Sequence, residues 1–370
     1  MGVFDSFFKK KDTSVLGIDI GTSAIKIVQL RRDGNKAVLE TYGELALGPY
    51  AGVEVGQATQ LPNEKIIEAL NDLMNEKEVN ITTKECGLAI PFRASLMSVI
   101  QLPKTAEKQI AQLVPMEARK YIPVPITEVA LDWTVIPEDE YELENEEDPN
   151  QPKVAHNLNV LVIAIHNDVI NNFQTIVEKT GLHASFFEVE IFSTMRAVLN
   201  ENNTPVMILD MGASTTKLYV VEKGIVRTSH TINKGSQDIT AFLATSLGIS
   251  VQKAEILKRD EGLLGVYENQ PLKDVMSATL DYIFSEANRT LLSYERKANK
   301  NVSKILLVGG GAALKGFAEL AQKSFETEVV SGDPFSKVQT PAFLEEILKH
   351  TGPEFAVAVG TAIRKLQELE

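Results

Sequence analysis

LGIDIGTSAIKIVQL, at residues 16–30, returns in altered form as MILDMGASTTKLYVV, at residues 207–221. Aligned without gaps, the two stretches match at four pairs of positions: Asp19 with Asp210, Gly21 with Gly212, Ser23 with Ser214, and Lys26 with Lys217. Apolar side chains fill most of the other aligned positions, which is typical of buried strands. Because one design occurs twice in the chain, the sequence predicts a duplicated domain.

Length and composition agree with a protein of two domains. A chain of 370 residues is too long for one core of ordinary size. The net charge of −13 argues against nucleic acid as the main partner, because binding phosphates along a strand needs a basic surface. The single cysteine, Cys86, fits a reducing cytoplasm, and no apolar run reaches the roughly 20 residues that cross a bilayer. We therefore expect a cytoplasmic α/β protein without direct transmembrane anchoring.

Each repeat predicts two strands joined by a short glycine turn. The strands are expected at residues 15–20 and 24–30, and again at 206–211 and 215–221. A tight turn with glycine exposes backbone N–H groups that can hold phosphate oxygens, and the neighbouring hydroxyls add further donors. The predicted phosphate-binding residues are Gly21, Thr22 and Ser23 in the first turn, and Gly212, Ala213, Ser214 and Thr215 in the second.

The charged residues of the repeats suggest how a polyphosphate would be held. Lys26 is placed to reach a β- or γ-phosphate from the first turn. Asp19 and Asp210 would repel a bare phosphate, so we interpret them as ligands of a divalent cation or of its waters. For one turn alone an ordinary β-turn is an equally good interpretation. Two turns in matched register favour a pair of clamps that close on one ligand.

A third segment completes a pattern that a known superfamily shares. Residues 304–317, KILLVGGGAALKGF, read as a buried strand, then Gly309, Gly310 and Gly311, then a helix. Together the three segments resemble the two phosphate motifs and the adenosine motif of the actin-like ATPases. The resemblance implies an actin-like fold with two duplicated RNase H-like domains, and it implies ATP and Mg²⁺ as ligands.

The resemblance also implies roles for residues outside the repeats. In FEVEIFSTMRAVL, residues 187–199, Glu190 is similar to the carboxylate that faces the attacking water, although Ile191 stands where proline is usual. A helix N-terminus that simply favours a carboxylate is the structural alternative. Glu255 and Lys258 resemble the pair that borders the adenosine, and their spacing places both on one face of a helix.

Between the two repeats the chain leaves the first domain and returns. Mixed strands and helical segments at residues 93–181 predict an inserted α+β subdomain. The first domain is then expected at residues 1–92 with 182–203 and 347–370. The second is expected at 204–346, with a smaller subdomain at 233–300.

Within the insert, residues 117–133, EARKYIPVPITEVALDW, resemble the signature of the PilM family, the actin-like proteins of type IV pilus assembly. That resemblance implies an ATP-binding scaffold that binds the N-terminal segment of an inner-membrane PilN-like protein. Such a partner would bring the chain to the cytoplasmic face of the inner membrane. Contacts with pilus motor ATPases and self-association stay open, and so does the rate of any ATP hydrolysis.

Two other functions remain as alternatives at this point. One is an FtsA-like filament-forming protein of cell division, although the chain shows no C-terminal amphipathic tail after TAIRKLQELE. The other is a phosphotransferase of the sugar-kinase type, for which no second polar pocket is evident. The roles of the acidic run at 137–152 and of the Phe- and Lys-rich start of the chain are left open.

Overall fold

The computed structural model describes residues 14–103, 109–136, 157–200 and 204–369. The acidic run at 137–152 and the first 13 residues lie outside these ranges. The chain divides into two compact units, one formed by Met1–Ala89 with Val177–Glu370 and the other by Ile90–Ile176. Among the described residues, no helix is both long enough and apolar enough to cross a membrane.

The described strands are β1 (Ser14–Ile20), β2 (Ala24–Asp33), β3 (Lys36–Ala46), β4 (Glu85–Ile90), β5 (Ser95–Pro103), β6 (Val129–Ile136), β7 (Asn157–His166), β8 (His183–Val189), β9 (Val206–Met211), β10 (Thr216–Glu222), β11 (Ile225–Ile232), β12 (Val266–Tyr267), β13 (Gln270–Pro271), β14 (Lys304–Val308), β15 (Glu328–Ser331) and β16 (Val338–Gln339). The described α-helices are α1 (Asn63–Asn75), α2 (Ile110–Ala118), α3 (Asn167–Thr180), α4 (Glu190–Val198), α5 (Ser236–Leu247), α6 (Val251–Asp260), α7 (Leu272–Ala298), α8 (Phe317–Ser324), α9 (Glu345–Thr351) and α10 (Ala356–Gln367). Short 3₁₀ turns at Gly310–Ala313 and Gly352–Phe355 bear on the site described below.

The larger unit contains the same sheet twice. The first sheet has the order β16-β3-β2-β1-β4-β8, and the second has the order β11-β10-β9-β14-β15. In both, three antiparallel strands form a meander, and a later strand then pairs in parallel with the first strand of that meander. Apart from the edge strand β16, the strands of the two sheets correspond one to one: β3-β2-β1-β4-β8 in the first has the same arrangement as β11-β10-β9-β14-β15 in the second. The duplication predicted from the repeats is therefore confirmed, and each half has the RNase H-like topology of the actin-like fold.

Close backbone packing joins α10 to the first sheet and to α4. A Cβ added at Gly17 would lie under 3.0 Å from the Ala358 carbonyl oxygen and the Ala362 nitrogen, closer than real Cβ atoms come. One added at Gly360 would meet the backbone of Ser193 in the same way. Because glycine has no side chain, the backbone of α10 can approach β1 on one side and α4 on the other. The sequence EFAVAVGTAIRKL, residues 354–366, predicts such close packing from its small residues Ala358 and Gly360, and the structure confirms it.

The core of the second half is formed mainly by α7 and α8 against the second sheet. Phe284 on α7 packs its ring 5.5 Å from the ring of Phe317 and 5.6 Å from that of Phe325. All three rings are buried, together with the inward side chains of β9 and β14. This core fixes the position of the second clamp turn, because that turn directly follows β9.

The smaller unit is an α+β module with its own core. Its sheet has the order β5-β7-β6, and α2 packs against it through Val114 and Ala118. Trp133 is partly buried and packs against this core. Pro115 lies within α2, and the helix continues through it to Ala118. A helix interior tolerates proline poorly, so the sequence predicts a break or kink at this point, but the helix is not divided there.

Candidate functional site

The two repeated turns lie beside each other in the larger unit. The Gly21 N–H donates to the Ala24 oxygen at 3.0 Å, and the Gly212 N–H donates to the Thr215 oxygen at 2.9 Å, so both turns close in the same way. Across them, Thr22 Oγ1 and Ser214 Oγ are 3.3 Å apart, although 192 positions separate them in the chain. The structure therefore brings the two predicted turns face to face.

A buried triad of charges lies beneath the second turn. Lys217 Nζ is 2.8 Å from Asp210 Oδ2 and 2.8 Å from Glu190 Oε2. Burial alone would lower the pKa of Lys217, but the two carboxylates outweigh that effect and raise it. Glu190 is the first residue of α4, so its carboxylate also lies at the positive end of that helix. Lys217 was not chosen as a site residue from the sequence, although its alignment with Lys26 was the available signal.

Asp19, one of the two aspartates predicted to bind a cation, lies among other acidic groups. Burial, followed by repulsion from Glu190, raises its pKa from an ordinary 3.8 to about 7. Asp210 adds to this repulsion, while Lys26 and Lys217 oppose it. A divalent cation would relieve the repulsion between Asp19 and Asp210.

Such an ion would need other ligands as well. No group of three or more His, Cys, Asp or Glu side chains in the described part of the chain could hold a metal alone. The donor set therefore suits an ion such as Mg²⁺, which keeps several waters and takes its remaining ligands from a phosphate.

The raised pKa of Asp19 predicts a dependence of stability on pH. Its neutral form is favoured in the folded state, so its contribution to stability is complete below about pH 4 and is lost as the pH rises through about 7. We expect the unfolding temperature of the metal-free protein to fall between about pH 4 and pH 7. Thermal unfolding of Asp19→Asn should show a smaller fall. Exposed Asp281→Asn is the control and should keep the wild-type slope, and an equal slope in Asp19→Asn would contradict the prediction.

Lys26, the counterpart of Lys217 in the first half, is held by different partners. Its Nζ lies 3.5 Å from Glu44 Oε1 and 4.0 Å from Glu354 Oε2. Glu44 is directly opposite Lys26 on the neighbouring strand β3, whereas Glu354 comes from the 3₁₀ turn that precedes α10. The predicted phosphate ligand is therefore already paired with two carboxylates.

The three glycines after β14 form a ledge next to Asp210. Gly309 has a φ of +85°, and a Cβ at this position would crowd the Asp210 carboxylate and the Met211 backbone. The Gly309 N–H donates to the Pro353 oxygen at 2.9 Å. A side chain at Gly311 would meet Met211, whereas at Gly310 the nearest atom, Glu354 Oε2, is 3.7 Å away. Backbone without side chains thus borders the space beside the clamps, where a flat group or a phosphate could lie.

Glu255 and Lys258 lie on one helix, α6, in the second half, in line with their spacing, and the structure shows that they form a buried pair. Lys258 Nζ donates to Glu255 Oε2 at 2.6 Å and to Thr240 Oγ1 at 2.8 Å. Lys258 also donates to the Ser236 oxygen at 3.3 Å, and the Ser236 N–H donates in turn to the Gly212 oxygen at 2.9 Å. The pair is therefore connected to the second turn through the start of α5. To contact a nucleoside, either side chain would have to exchange one of these partners.

A loop of the first half reaches the second half at the same place. The Ala58 N–H donates to Gln237 Oε1 at 3.1 Å, and the Thr59 N–H donates to the Thr22 oxygen at 2.7 Å. Gly56, at a φ of +90°, lies so close to Glu255 that a Cβ would overlap its carboxylate. This contact could not be predicted from the sequence, because the loop carries neither a repeat nor a charge pattern.

Comparison with known proteins gives this arrangement a context. The family model described as "Type IV pilus assembly protein PilM" matches residues 17–366. Cell division protein FtsA of Neisseria meningitidis is 25% identical over 364 residues, covering 88% of this chain and 86% of FtsA. The solved PilM–PilN type IV pilus biogenesis complex superposes with a TM-score of 0.75 at 24% identity, covering 95% of this chain and 98% of that one. MreB5 of Spiroplasma citri bound to AMPPNP gives a TM-score of 0.51 at 12% identity, covering 97% and 98%.

Proposed function

The chain belongs to the type IV pilus assembly protein PilM family, and from that premise we propose that it is a Mg-ATP-binding scaffold of the pilus assembly machinery. The observation that carries the proposal is the meeting of the two repeated turns, with Thr22 and Ser214 3.3 Å apart. Two glycine turns whose hydroxyl side chains meet are suited to a polyphosphate, because turns of this kind offer hydroxyl and backbone N–H donors to phosphate oxygens. The nucleotide-bound MreB5 structure has the same fold, which supports this choice of ligand.

In the proposed complex, each predicted site residue binds one part of the Mg-ATP ligand. The turns hold the phosphates, Asp19 and Asp210 hold Mg²⁺ through direct contacts or its waters, and Lys26 pairs with a phosphate. The glycine ledge at 309–311 receives the adenosine, with Glu255 and Lys258 at its border. The bound Mg²⁺ would neutralise charge on the phosphates.

We place the first actin-like domain at 1–92 with 182–203 and 347–370, the insert at 93–181 and the second domain at 204–346, with its smaller subdomain at 233–300.

Glu190 is proposed to orient the attacking water, with Lys217 fixing the position of its carboxylate. A water-orienting carboxylate acts in the transition state, so its loss should affect turnover more than affinity. Glu190→Gln is expected to bind Mg-ATP almost as tightly as the wild type and to hydrolyse it about 100-fold more slowly. Calorimetry and a phosphate-release assay measure the two quantities, with exposed Glu346→Gln as the control. Parallel losses of affinity and of folding stability would assign Glu190 a structural role at the start of α4 instead.

The proposed partner is the N-terminal segment of a PilN-like inner-membrane protein, which would place the chain at the cytoplasmic face of the membrane. Support comes from the insert, which exposes several large apolar side chains on its own surface: Leu96, Val99, Met116, Tyr121 and Val135. Such side chains can provide the sites in which an extended peptide anchors. The matching solved structure is a PilM–PilN type IV pilus biogenesis complex, which supports a PilN-like partner.

A peptide titration tests the partner. A synthetic peptide with the N-terminal sequence of the PilN-like protein from the same organism should bind the full chain, and Mg-ATP should change its affinity about 5- to 150-fold. Because linkage is reciprocal, the peptide must change the ATP affinity by the same factor. Tyr121→Ala should weaken peptide binding, whereas Phe343→Ala, at a residue that is 79% exposed in the other unit, should not. A wild-type chain that does not bind the peptide would count against the pilus role.

FtsA-like filament formation is the second candidate, because similarity to FtsA extends over most of the chain. It predicts polymers that appear on addition of Mg-ATP and sediment at high speed. Polymers without peptide binding would favour the FtsA-like function, while peptide binding by a chain that does not polymerise would favour the scaffold. Contacts with pilus motor ATPases are a further proposal that the same preparation can test by co-sedimentation.

A further inference from the structure

Charges of alternating sign lie across the first sheet at the level of the clamp turn. Asp19, Lys26 and Glu44 are direct cross-strand neighbours on β1, β2 and β3. In the second half, the corresponding strands place Asp210, Lys217 and Thr231 at this level. The third position is therefore a carboxylate in the first half and a hydroxyl in the second. Glu44 is an acidic group for which the repeat itself has no counterpart.

Glu354 brings a second carboxylate to the same lysine. It lies in the 3₁₀ turn Gly352–Phe355, next to Pro353, whose oxygen accepts the hydrogen bond of the Gly309 N–H. Its Oε2 is 4.0 Å from Lys26 Nζ and 3.7 Å from the position that a Cβ on Gly310 would take. Glu354 therefore stands between the glycine ledge and Lys26, where a nucleotide that extends from one to the other would pass.

Lys26, Glu44 and Glu354 together carry more negative than positive charge. The lysine side chain is 12% exposed and has two carboxylates for its one ammonium group. Burial, followed by repulsion from Glu44, raises the pKa of Glu354 to about 6, against the opposing effects of Lys26 and Arg259. Arg259 is the next cation whose charge interacts with both carboxylates, but it donates to Glu255 at 2.7 Å. A phosphate that approaches Lys26 therefore meets two carboxylates that already hold the lysine.

We propose that Glu44 and Glu354 compete with the nucleotide's phosphates for Lys26, and that this competition lowers the affinity for ATP. This inference rests on the proposed function, because it takes Lys26 as a phosphate ligand. Binding must exchange two carboxylate contacts of Lys26 for phosphate contacts, and it brings phosphate charge towards carboxylates that have lost their partner. Both effects weaken ATP binding, and both depend on the charge of the ligand. The two glutamates are positioning residues, which act on the nucleotide through Lys26.

Calorimetric titration of Glu44→Gln and Glu354→Gln with ATP, ADP and adenosine tests the inference. Each substitution keeps the size of the side chain and removes its charge. We expect ATP to bind about fivefold more tightly to each variant, ADP to gain less, and adenosine to be unaffected. Glu354→Asp keeps the charge and should remain close to the wild type. Glu346→Gln removes one negative charge from the exposed surface of α9 and is the control for net charge.

The outcomes separate this inference from the proposed function. If the wild type binds ATP and both glutamine variants bind it equally or more weakly, the competition does not exist and the proposed function stands. A gain that is equal for adenosine and ATP would also overturn the inference, because it would reveal loosened packing and not a charge effect. If the wild type binds neither ATP nor ADP, the proposed function fails and the inference fails with it.

Discussion

Gly17→Ala should cost the larger unit about 3 kcal/mol of folding free energy or more, which is a large part of the total for a typical domain. Gly17 lies on the central strand β1, and its added Cβ would overlap the Ala358 carbonyl oxygen and the Ala362 nitrogen of α10. Both are backbone atoms in the middle of a helix, so neither can rotate away as a side chain would. The strand and the helix would have to separate along their length.

Chemical denaturation followed by circular dichroism measures the effect. Gly352→Ala is the matched control, because Gly352 is also buried and its Cβ would make an ordinary contact at 3.4 Å with the Phe335 ring. We expect Gly352→Ala to unfold close to the wild type. Gly360→Ala, which meets the Ser193 backbone, should behave like Gly17→Ala. Wild-type stability of Gly17→Ala would mean that α10 is packed less closely on β1 than the structure shows.

Asp210→Asn should reduce the affinity for Mg-ATP about 100-fold while leaving the metal-free affinity for ATP largely unchanged. The carboxylate is buried beside the glycine ledge, and in the proposed complex it serves the ion and not the phosphate. Asp19→Asn should have an effect in the same direction. In both variants the difference between titrations with Mg²⁺ and with EDTA should largely disappear, because this difference measures the contribution of the ion.

Loss of Asp210 also leaves Lys217 with Glu190 as its remaining carboxylate partner within the triad, so stability has to be measured in parallel. Thermal unfolding distinguishes loss of the ion from loss of the fold. Asp281→Asn, on the exposed surface of α7, is the control for the charge change. If Asp19→Asn and Asp210→Asn both keep the wild-type affinity for Mg-ATP, the two aspartates are not ligands of the ion and the assignment of the clamps is wrong.

Most of the fold could be predicted from the sequence, because its signals are local. Strands β1, β2, β9 and β10 were predicted to within a few residues, since buried strands are apolar and the turns between them contain glycine. The repeat itself predicted the duplication, and the identical strand orders of the two sheets confirmed it. The close approach of α10 could also be predicted, because small residues at 358 and 360 leave room for a neighbouring backbone.

The site could be predicted only in part. The sequence indicated both turns and the glycine run, and the structure brings Thr22 and Ser214 to 3.3 Å from each other. The sequence did not indicate the role of the loop at Gly56–Thr59. This loop belongs to the first half, where it contacts Thr22, and it also contacts Gln237 and Glu255 of the second half. Nor did the sequence single out Lys217 as the centre of a buried triad. In both cases the contact depends on where segments that are distant in the chain meet in space. A pattern of apolar and polar residues within a short stretch of sequence cannot predict such a contact.

The sequence by itself therefore determined that two strand–turn–strand units of one design exist and where each turn lies, because a strand and its glycine turn are specified by neighbouring residues. Only the tertiary structure decided which charges the two clamp lysines face. Lys26 pairs with Glu44 and Glu354, whereas Lys217 pairs with Asp210 and Glu190, although the repeats that carry the two lysines are alike. The reason is that an ion pair depends on distance in space. Glu354 and Glu190 reach the clamps from helical segments far along the chain, and the packing of those segments against the sheets sets their positions.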